Sequence, residues 1–198
     1  MWIDYFLATF FSFVAIFYTI LILFKQSNSP QTKCVHLGEK YSAHWRNHVT
    51  FRVFRSAILL YVIARMFLQE LDQYFIPFEF MITWSLQVIG AGMMLSGFGI
   101  ALVSNMSLKM QWRSGIDEKD TAKLITAGLY SLSRNPAYVG VAIAQIGFFL
   151  ALPNVFTLLC TVVGLWALQS QLELEEAHLS STFGSEYEQY TEQVPRWL

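Results

Sequence analysis

The chain has 198 residues, enough for one domain, and a formal net charge of −1, which gives no electrostatic footprint for nucleic acid. Hydrophobic residues make up 55% and charged residues only 14%, with 17 phenylalanines. Globular chains carry about 25% charged residues, so the shortfall points to a membrane protein. Cys34 and Cys160 lie far apart with no metal or redox spacing and read as free thiols.

The first apolar segment, Phe6 to Phe24, runs for 19 residues without a charge, close to the ~20 needed to cross a bilayer. Its start carries Asp4 and no Lys or Arg, so it reads as a retained span rather than a cleaved signal. A second segment, about Thr50 to Leu71, contains Arg52, Arg55 and Arg65. Arg65 is a functional candidate by position, but Glu70 is near and its stem can snorkel, so a structural role competes. The third segment, Phe80 to Val103, is uncharged, and Gly90, Gly92, Gly97 and Gly99 let helices approach closely.

Asn135 to Leu172 is uncharged for 38 residues, too long for one span at ~1.5 Å per residue. Pro153-Asn154 near its middle is a turn signal, so helices are expected at about 137–152 and 155–172. The expected fold is therefore all-α, a polytopic membrane protein with about five spans and a cytoplasmic C-terminal helix. It forms one domain over 1–198, with scaffold spans in 1–108 and a chemical block in 109–198.

Charge sets the expected orientation. Lys25, Lys33, Lys40, Arg46, Arg52 and Arg55 flank the first loop, and Lys109, Arg113, Lys119, Lys123 and Arg134 follow the third span. The turns near Glu70, Asp72 and Glu79, and at Pro153, have no Lys or Arg. The positive-inside rule puts the basic loops and the C-terminus in the cytoplasm and the N-terminus outside.

The polar chemistry gathers in the last third. A Gly128-Leu129-Tyr130 turn precedes Arg134-Asn135-Pro136, and Pro136 suits the first turn of a helix. A helix N-terminus favours an anion, Arg134 adds a planar fork of donors, and Asn135 both donates and accepts. Tyr138 offers a ring to a cation. A membrane-entry motif, with Arg134 on lipid phosphate and Tyr138 in the aromatic belt, competes with this ligand-binding reading. Glu173, Glu175 and Glu176 follow the last span, either as a solvated helix start or as carboxylates for amino, hydroxyl or ammonium groups. Leu179, Phe183, Tyr187 and Tyr190 recur at helical steps, an apolar-aromatic face that lies on the membrane or lids a site, with a break at Gly184. His36, His44 and His48 share the first loop without metal-ligand spacing, and no metal is expected.

This block resembles the superfamily of isoprenylcysteine carboxyl methyltransferases and phospholipid methyltransferases. The matching elements are Leu124-Ile125…Gly128-Leu129-Tyr130, Arg134-Asn135-Pro136-Ala137-Tyr138-Val139-Gly140, Glu175-Glu176…Leu179 and Phe183-Gly184…Tyr187…Tyr190. The resemblance implies S-adenosylmethionine as methyl donor, bound at the cytoplasmic ends of the last two spans. It implies cofactor contacts from Gly128, Leu129, Tyr130, Arg134, Asn135, Tyr138, Gly140, Glu175 and Glu176, with Arg134, Glu176 and Tyr138 catalytic. Its pattern has His where this chain has Asn135, which cannot carry positive charge or act as a base. Together with Trp112-Arg113-Ser114-Gly115-Ile116-Asp117, this resembles a bacterial branch and weakens the assignment to prenyl-cysteine.

The implied reaction moves a methyl group to a carboxylate, amine or thiol on a lipid-like, apolar or prenylated acceptor that enters from the bilayer. A membrane reductase of the steroid and sterol type using NADPH is the first rival, on the likeness of FGSEYEQYTEQVP. A non-enzymatic scaffold or transporter subunit is the second. Oligomeric state is not legible.

Overall fold

The computed structural model describes residues 2–28, 39–108 and 124–198. Cys34, His36, Lys33, Lys109, Arg113, Lys119, Lys123 and the Trp112–Asp117 element therefore lie outside the described residues. What is described contains six α-helices: α1 (Trp2–Asn28), α2 (Ala43–Phe67), α3 (Trp84–Ser107), α4 (Pro136–Ala151), α5 (Val155–Phe183) and α6 (Ser185–Gln193).

Local chemistry sets the helix starts. Ser42 Oγ accepts from Trp45 N at 3.1 Å, so α2 begins well before the expected Thr50. Thr83 caps α3 in the same way, which moves its start from the expected Phe80 to Trp84. Asn154 and Thr157 form a reciprocal capping box at the head of α5, so the Pro153-Asn154 turn is rigidly closed. At the other end, α5 continues through Phe183 rather than stopping near Leu172. Leu, Glu and Ala in LELEEAHL are strong helix formers, and a charge that ends an apolar run need not end a helix.

Side-chain pairs fix the helix directions. Arg65, near the end of α2, meets Asp4 in α1 at 2.9 Å and forms a two-pronged pair with Asp72 at 2.6 and 2.7 Å. The expected partner Glu70 is replaced because Gln69–Phe75 folds into a tight 3-10 turn that brings Asp72 back toward Arg65. Tyr61 donates to Asp72 at 3.0 Å and accepts from Asn154 at 2.8 Å, while Phe78 N reaches Pro153 O at 2.9 Å. This end of the bundle thus gathers the start of α1, the α2–α3 connection and the α4–α5 turn. The opposite end gathers Tyr18 with Asn105, and His44 with Gln171. Helices α1 to α5 therefore alternate in direction.

The closest packing joins α3 to α4. A Cβ on Gly90 would strike the backbone of Gly147 and Ala151, and one on Gly97 would strike that of Gly140 and Ala144. Gly92 and Gly99 face open space, so half of the glycine run serves the seam. Beside the seam, Ile3, Leu7, Tyr61, Val62, Met94, Phe148, Ala151 and Leu152 form the buried core. Phe98 meets the rings of Phe10, Phe13 and Phe17 edge-on and ties α1 to α3.

Three helices, α1, α3 and α5, are long and apolar enough to cross a membrane; α4 is apolar but has 16 residues. Their outward faces carry exposed Phe13, Ile16, Ile20, Leu95, Val162 and Trp166, the surface a hydrocarbon solvent accommodates. The described residues are all-helical, and the chain is a membrane protein.

The seam makes a direct prediction. Gly140→Val should lower stability by about 2 kcal/mol or more, since branched carbons would be forced into the α3 backbone. Gly92→Ala should be nearly neutral. Thermal unfolding of the two variants in one detergent checks the contrast, and equal melting points would contradict the seam.

Candidate active site

At the end of the bundle away from Arg65, the Arg134-Asn135-Pro136 step enters α4. Pro136 occupies the first turn, where its missing N–H costs nothing. Asn135 sits at the cap but does not cap with its own side chain. Its backbone N–H donates to Ser133 Oγ at 3.1 Å, which frees the carboxamide for longer-range work.

That carboxamide reaches Glu176 in α5. Asn135 Nδ2 donates to Glu176 Oε1 at 2.9 Å and to the carbonyl of Arg196 at 3.3 Å. Arg196 donates to Glu176 Oε2 from Nη2 at 2.7 Å and from Nε at 3.0 Å. Arg134 Nε stands 3.6 Å from Oε1. Glu176 is 8% exposed, and a buried carboxylate is tolerated only when paired and hydrogen-bonded. Two guanidinium cations around one carboxylate leave the cluster with an excess of positive charge.

The C-terminal segment closes the same cluster through its backbone. Arg134 N donates to Pro195 O at 2.9 Å, and Ser133 Oγ donates to Arg196 O at 3.2 Å. Helix α6 supports it after Gly184, whose φ of +51° turns the chain out of α5. Tyr187, Tyr190 and Val194 are buried against Leu124, Leu179 and Phe183. The aromatic face expected at three- and four-residue steps thus packs on the protein, across the break at Gly184.

Tyr190 Oη donates to the carbonyl of Tyr130 at 2.6 Å, fixing the Gly128–Ser131 turn beneath α6. Gly128 adopts φ +69° to make that turn. Burial pushes the Tyr190 phenol up to about 12, with Tyr187 as the second cause. Burial likewise pushes Tyr130 upward, and Tyr187 upward with the Glu176 carboxylate adding to it. All three phenols hold their protons at neutral pH, and Tyr190 uses its proton as a donor.

A second carboxylate lies one residue before Glu176. Glu175 Oε1 accepts from Tyr138 Oη at 2.6 Å and from Gln171 Nε2 at 3.1 Å. Glu173 instead points outward and accepts from Gln169 at 2.7 Å. The structure therefore joins Arg134, Asn135 and Glu176 in one group, and Tyr138 and Glu175 in another. Gly140 lies apart from both, its α-carbon against Gly97 and Ala101 on the α3 seam. Ser133, Gln171 and Arg196 enter the site without having been singled out by sequence.

Two polar groups beside Glu176 are enclosed with no hydrogen-bond partner: Arg134 Nε and Tyr187 Oη. Both are donors by chemistry, and both stand where positive charge is in excess.

Comparison with known proteins adds the family. The phospholipid methyltransferase family model matches residues 86–186, about half of the chain. The chain belongs to the superfamily of isoprenylcysteine carboxyl methyltransferases and phospholipid methyltransferases. It is 30% identical over 162 residues to a probable protein-S-isoprenylcysteine O-methyltransferase of Oryza sativa subsp. indica, covering 76% of this chain and 81% of that protein. It is 47% identical over 74 residues to the Schizosaccharomyces pombe protein-S-isoprenylcysteine O-methyltransferase, 36% of this chain and 31% of that protein. The Homo sapiens enzyme of the same name is 30% identical over 146 residues, 72% of this chain and 48% of its own length. No solved structure matches the chain. Membership favours a methyltransferase over the reductase and the non-enzymatic scaffold.

Two outcomes are expected for this methyltransferase fold. Arg196→Ala should cost about 1 kcal/mol, at the low end for a charge-assisted hydrogen bond because Arg196 is 41% exposed. Amide exchange across residues 185–193 should rise with it, and unchanged protection there would show that the Arg196–Glu176 pair does not hold α6 in place. Raising the pH should also loosen α6. The Tyr190 phenol is raised in the fold, so its contribution is whole below about pH 10. It is lost as pH climbs toward about 12. Near-UV circular dichroism across that window reads the loss, and Tyr190→Phe should flatten it.

Proposed function

We propose that this protein takes S-adenosylmethionine at the Arg134–Glu176 cluster and methylates the carboxylate of an apolar, prenyl-bearing acceptor. The observation that carries the reading is the cluster's charge. Arg134 and Arg196 outnumber Glu176, and Arg134 Nε and Tyr187 Oη are enclosed with no hydrogen-bond partner. Such a group of donors fits the carboxylate of the cofactor's amino-acid end. When bound, the cofactor supplies an electrophilic methyl group on a sulfonium.

The chain's own residues do the rest. Arg134 would hold the carboxylate, and the negative charge of Glu176 would favour the ammonium beside it. Tyr138, its hydroxyl held by Glu175, would offer its ring to the cation. Leu124, Phe183 and the α6 tyrosines keep water out of this end of the bundle, which strengthens each of these attractions. Gly128, Leu129 and Tyr130 form a turn suited to border the adenosine. Gly140 contributes by letting α4 approach α3 rather than by contact with the donor.

A carboxylate acceptor is already ionised and needs no base, which suits a cluster whose carboxylates are both engaged. The relatives' names supply the prenyl-cysteine class. Asn135 bears on this choice less than the motif alone implies, because its role here is to bridge Glu176 and Arg196, which needs a donor and no charge.

The membrane arrangement follows from the same reading. We take α1 to α5 as five alternating spans, with α2 crossing despite its arginines and α4 crossing with only 16 residues. The basic loops then put the site and the C-terminus in the cytoplasm and the N-terminus outside. The scaffold is 1–108 and the chemical block 109–198, where a cytosolic donor and a bilayer acceptor meet.

Purified protein in lipid nanodiscs, given methyl-labelled S-adenosylmethionine and a farnesylated cysteine peptide, should yield an apolar labelled product. Mild alkali should release the label as methanol, as an ester requires. A label that survives alkali would move the acceptor to an amine or thiol, and Arg134→Ala should abolish transfer in either case.

A further inference from the structure

A line of buried polar side chains leads from Glu175 into α2, and the methyl transfer as argued makes no use of its far end. His44, in the first turn of α2, is 8% exposed. Its Nδ1 lies 3.1 Å from Gln171 Oε1 and 3.0 Å from Gln171 Nε2. Gln171, 4% exposed, donates from Nε2 to Glu175 Oε1 at 3.1 Å, the oxygen that also accepts from Tyr138. Beside this line, Asn47 donates to Ser170 at 3.0 Å and the His48 ring meets His44 edge-on at 4.6 Å. These contacts hold the start of α2 against α5.

The chemistry of the amide gives the line a task. Gln171 Nε2 carries two hydrogens, one for Glu175 and one free for His44 Nδ1, while Oε1 can accept from an Nδ1–H. The imidazole therefore bonds the amide in either tautomer. Glu175 only accepts and so selects Nε2, while the imidazole holds the amide within its reach. An amide gripped at one end only can swing away, and Glu175 Oε1 would then lose one of its two donors in a buried place.

We propose that His44 is a positioning residue for the methyl-donor site: it fixes the Gln171 amide with Nε2 toward Glu175, and Glu175 in turn fixes the Tyr138 hydroxyl. His44 does not touch the donor; it acts through two intervening side chains. The inference rests on Tyr138 and Glu175 bordering the donor, as argued above.

The test uses the full chain in lipid nanodiscs with ring-labelled tyrosine, the Tyr138 resonance being assigned by Tyr138→Phe. His44→Ala should shift that resonance and weaken S-adenosylmethionine binding about tenfold by calorimetry, the size expected for one buried hydrogen bond. His44→Asn places an amide where Nδ1 stood, and it should restore both readings to within about twofold of the parent. Gln171→Leu should reproduce His44→Ala, and the double variant should add little, since the two act in series. Should His44→Ala not fold, His44→Leu carries the same comparison. A Tyr138 signal indifferent to His44 overturns the proposal, as does His44→Asn behaving like His44→Ala, because space-filling alone would then explain the site. If the parent chain binds no S-adenosylmethionine while Tyr138 still follows His44, the coupling stands and the donor reading falls.

Discussion

A buried carboxylate cannot stand alone, and the site end of this molecule is organised around satisfying one. Glu176, in the last third of α5, is only 8% exposed. Arg196 comes from the C-terminal segment, Asn135 from the head of α4, and Arg134 from the loop before it. Each brings its backbone with it. The pairing of one side chain thus draws three separate stretches of chain into a single wall, and removal of any partner would take a hydrogen bond or ion pair from a buried carboxylate. Stability and site geometry here depend on the same atoms.

The glycine seam supplies the second constraint. Because Gly90 and Gly97 meet Gly147 and Gly140 with no side chain between, α4 is held hard against α3 over its length. Helix α4 has little length to spare at 16 residues, so its heading and depth decide where Asn135 and Tyr138 stand. On α5, Gly164 lies under the Gln145 side chain, and Thr161 donates to the Gln145 carbonyl at 3.2 Å. Packing among small residues, more than burial of large ones, sets the register between the two carboxylates and the Arg-Asn-Pro step. The capping box at Asn154 holds the other end of the same hairpin.

Local features were readable from the chain, and long-range partners were not. The apolar run at Phe6–Phe24, the turn at Pro153-Asn154, the helix start at Pro136 and the break at Gly184 each follow from residues adjacent in sequence. Helix ends were harder where an apolar run and a helix part company: α5 runs on through Leu174, Ala177 and Leu179 because those residues favour helix in water as well as in lipid. Partners separated by tens of residues left no period to detect. Arg65 chose Asp72 and Asp4 over the nearer Glu70, through a 3-10 turn that its sequence does not advertise. His44 with Gln171, and Arg196 with Glu176, are pairings made only by the fold, and of these four residues the sequence pointed to Glu176 alone as a site residue.

The enclosed polar set also bears on which acceptors the proposed chemistry suits. Tyr130, Tyr187 and Tyr190 are pushed toward the protonated phenol, chiefly by burial, so none of them is suited to remove a proton at neutral pH. Glu176 is occupied by Arg196 and Asn135, and Glu175 by Tyr138 and Gln171. Asn135 has no basic atom. An amine or thiol would need to shed a proton into a region whose acceptors are already engaged, whereas a carboxylate arrives ionised. Substituting His for Asn135 would introduce a third possible cation beside Arg134 and Arg196, and no ring nitrogen carries the two hydrogens with which Nδ2 reaches both Glu176 and the Arg196 carbonyl. On that argument the asparagine is the better bridge between Glu176 and the Arg196 carbonyl, and the chemistry of an ionised acceptor asks nothing of it beyond that.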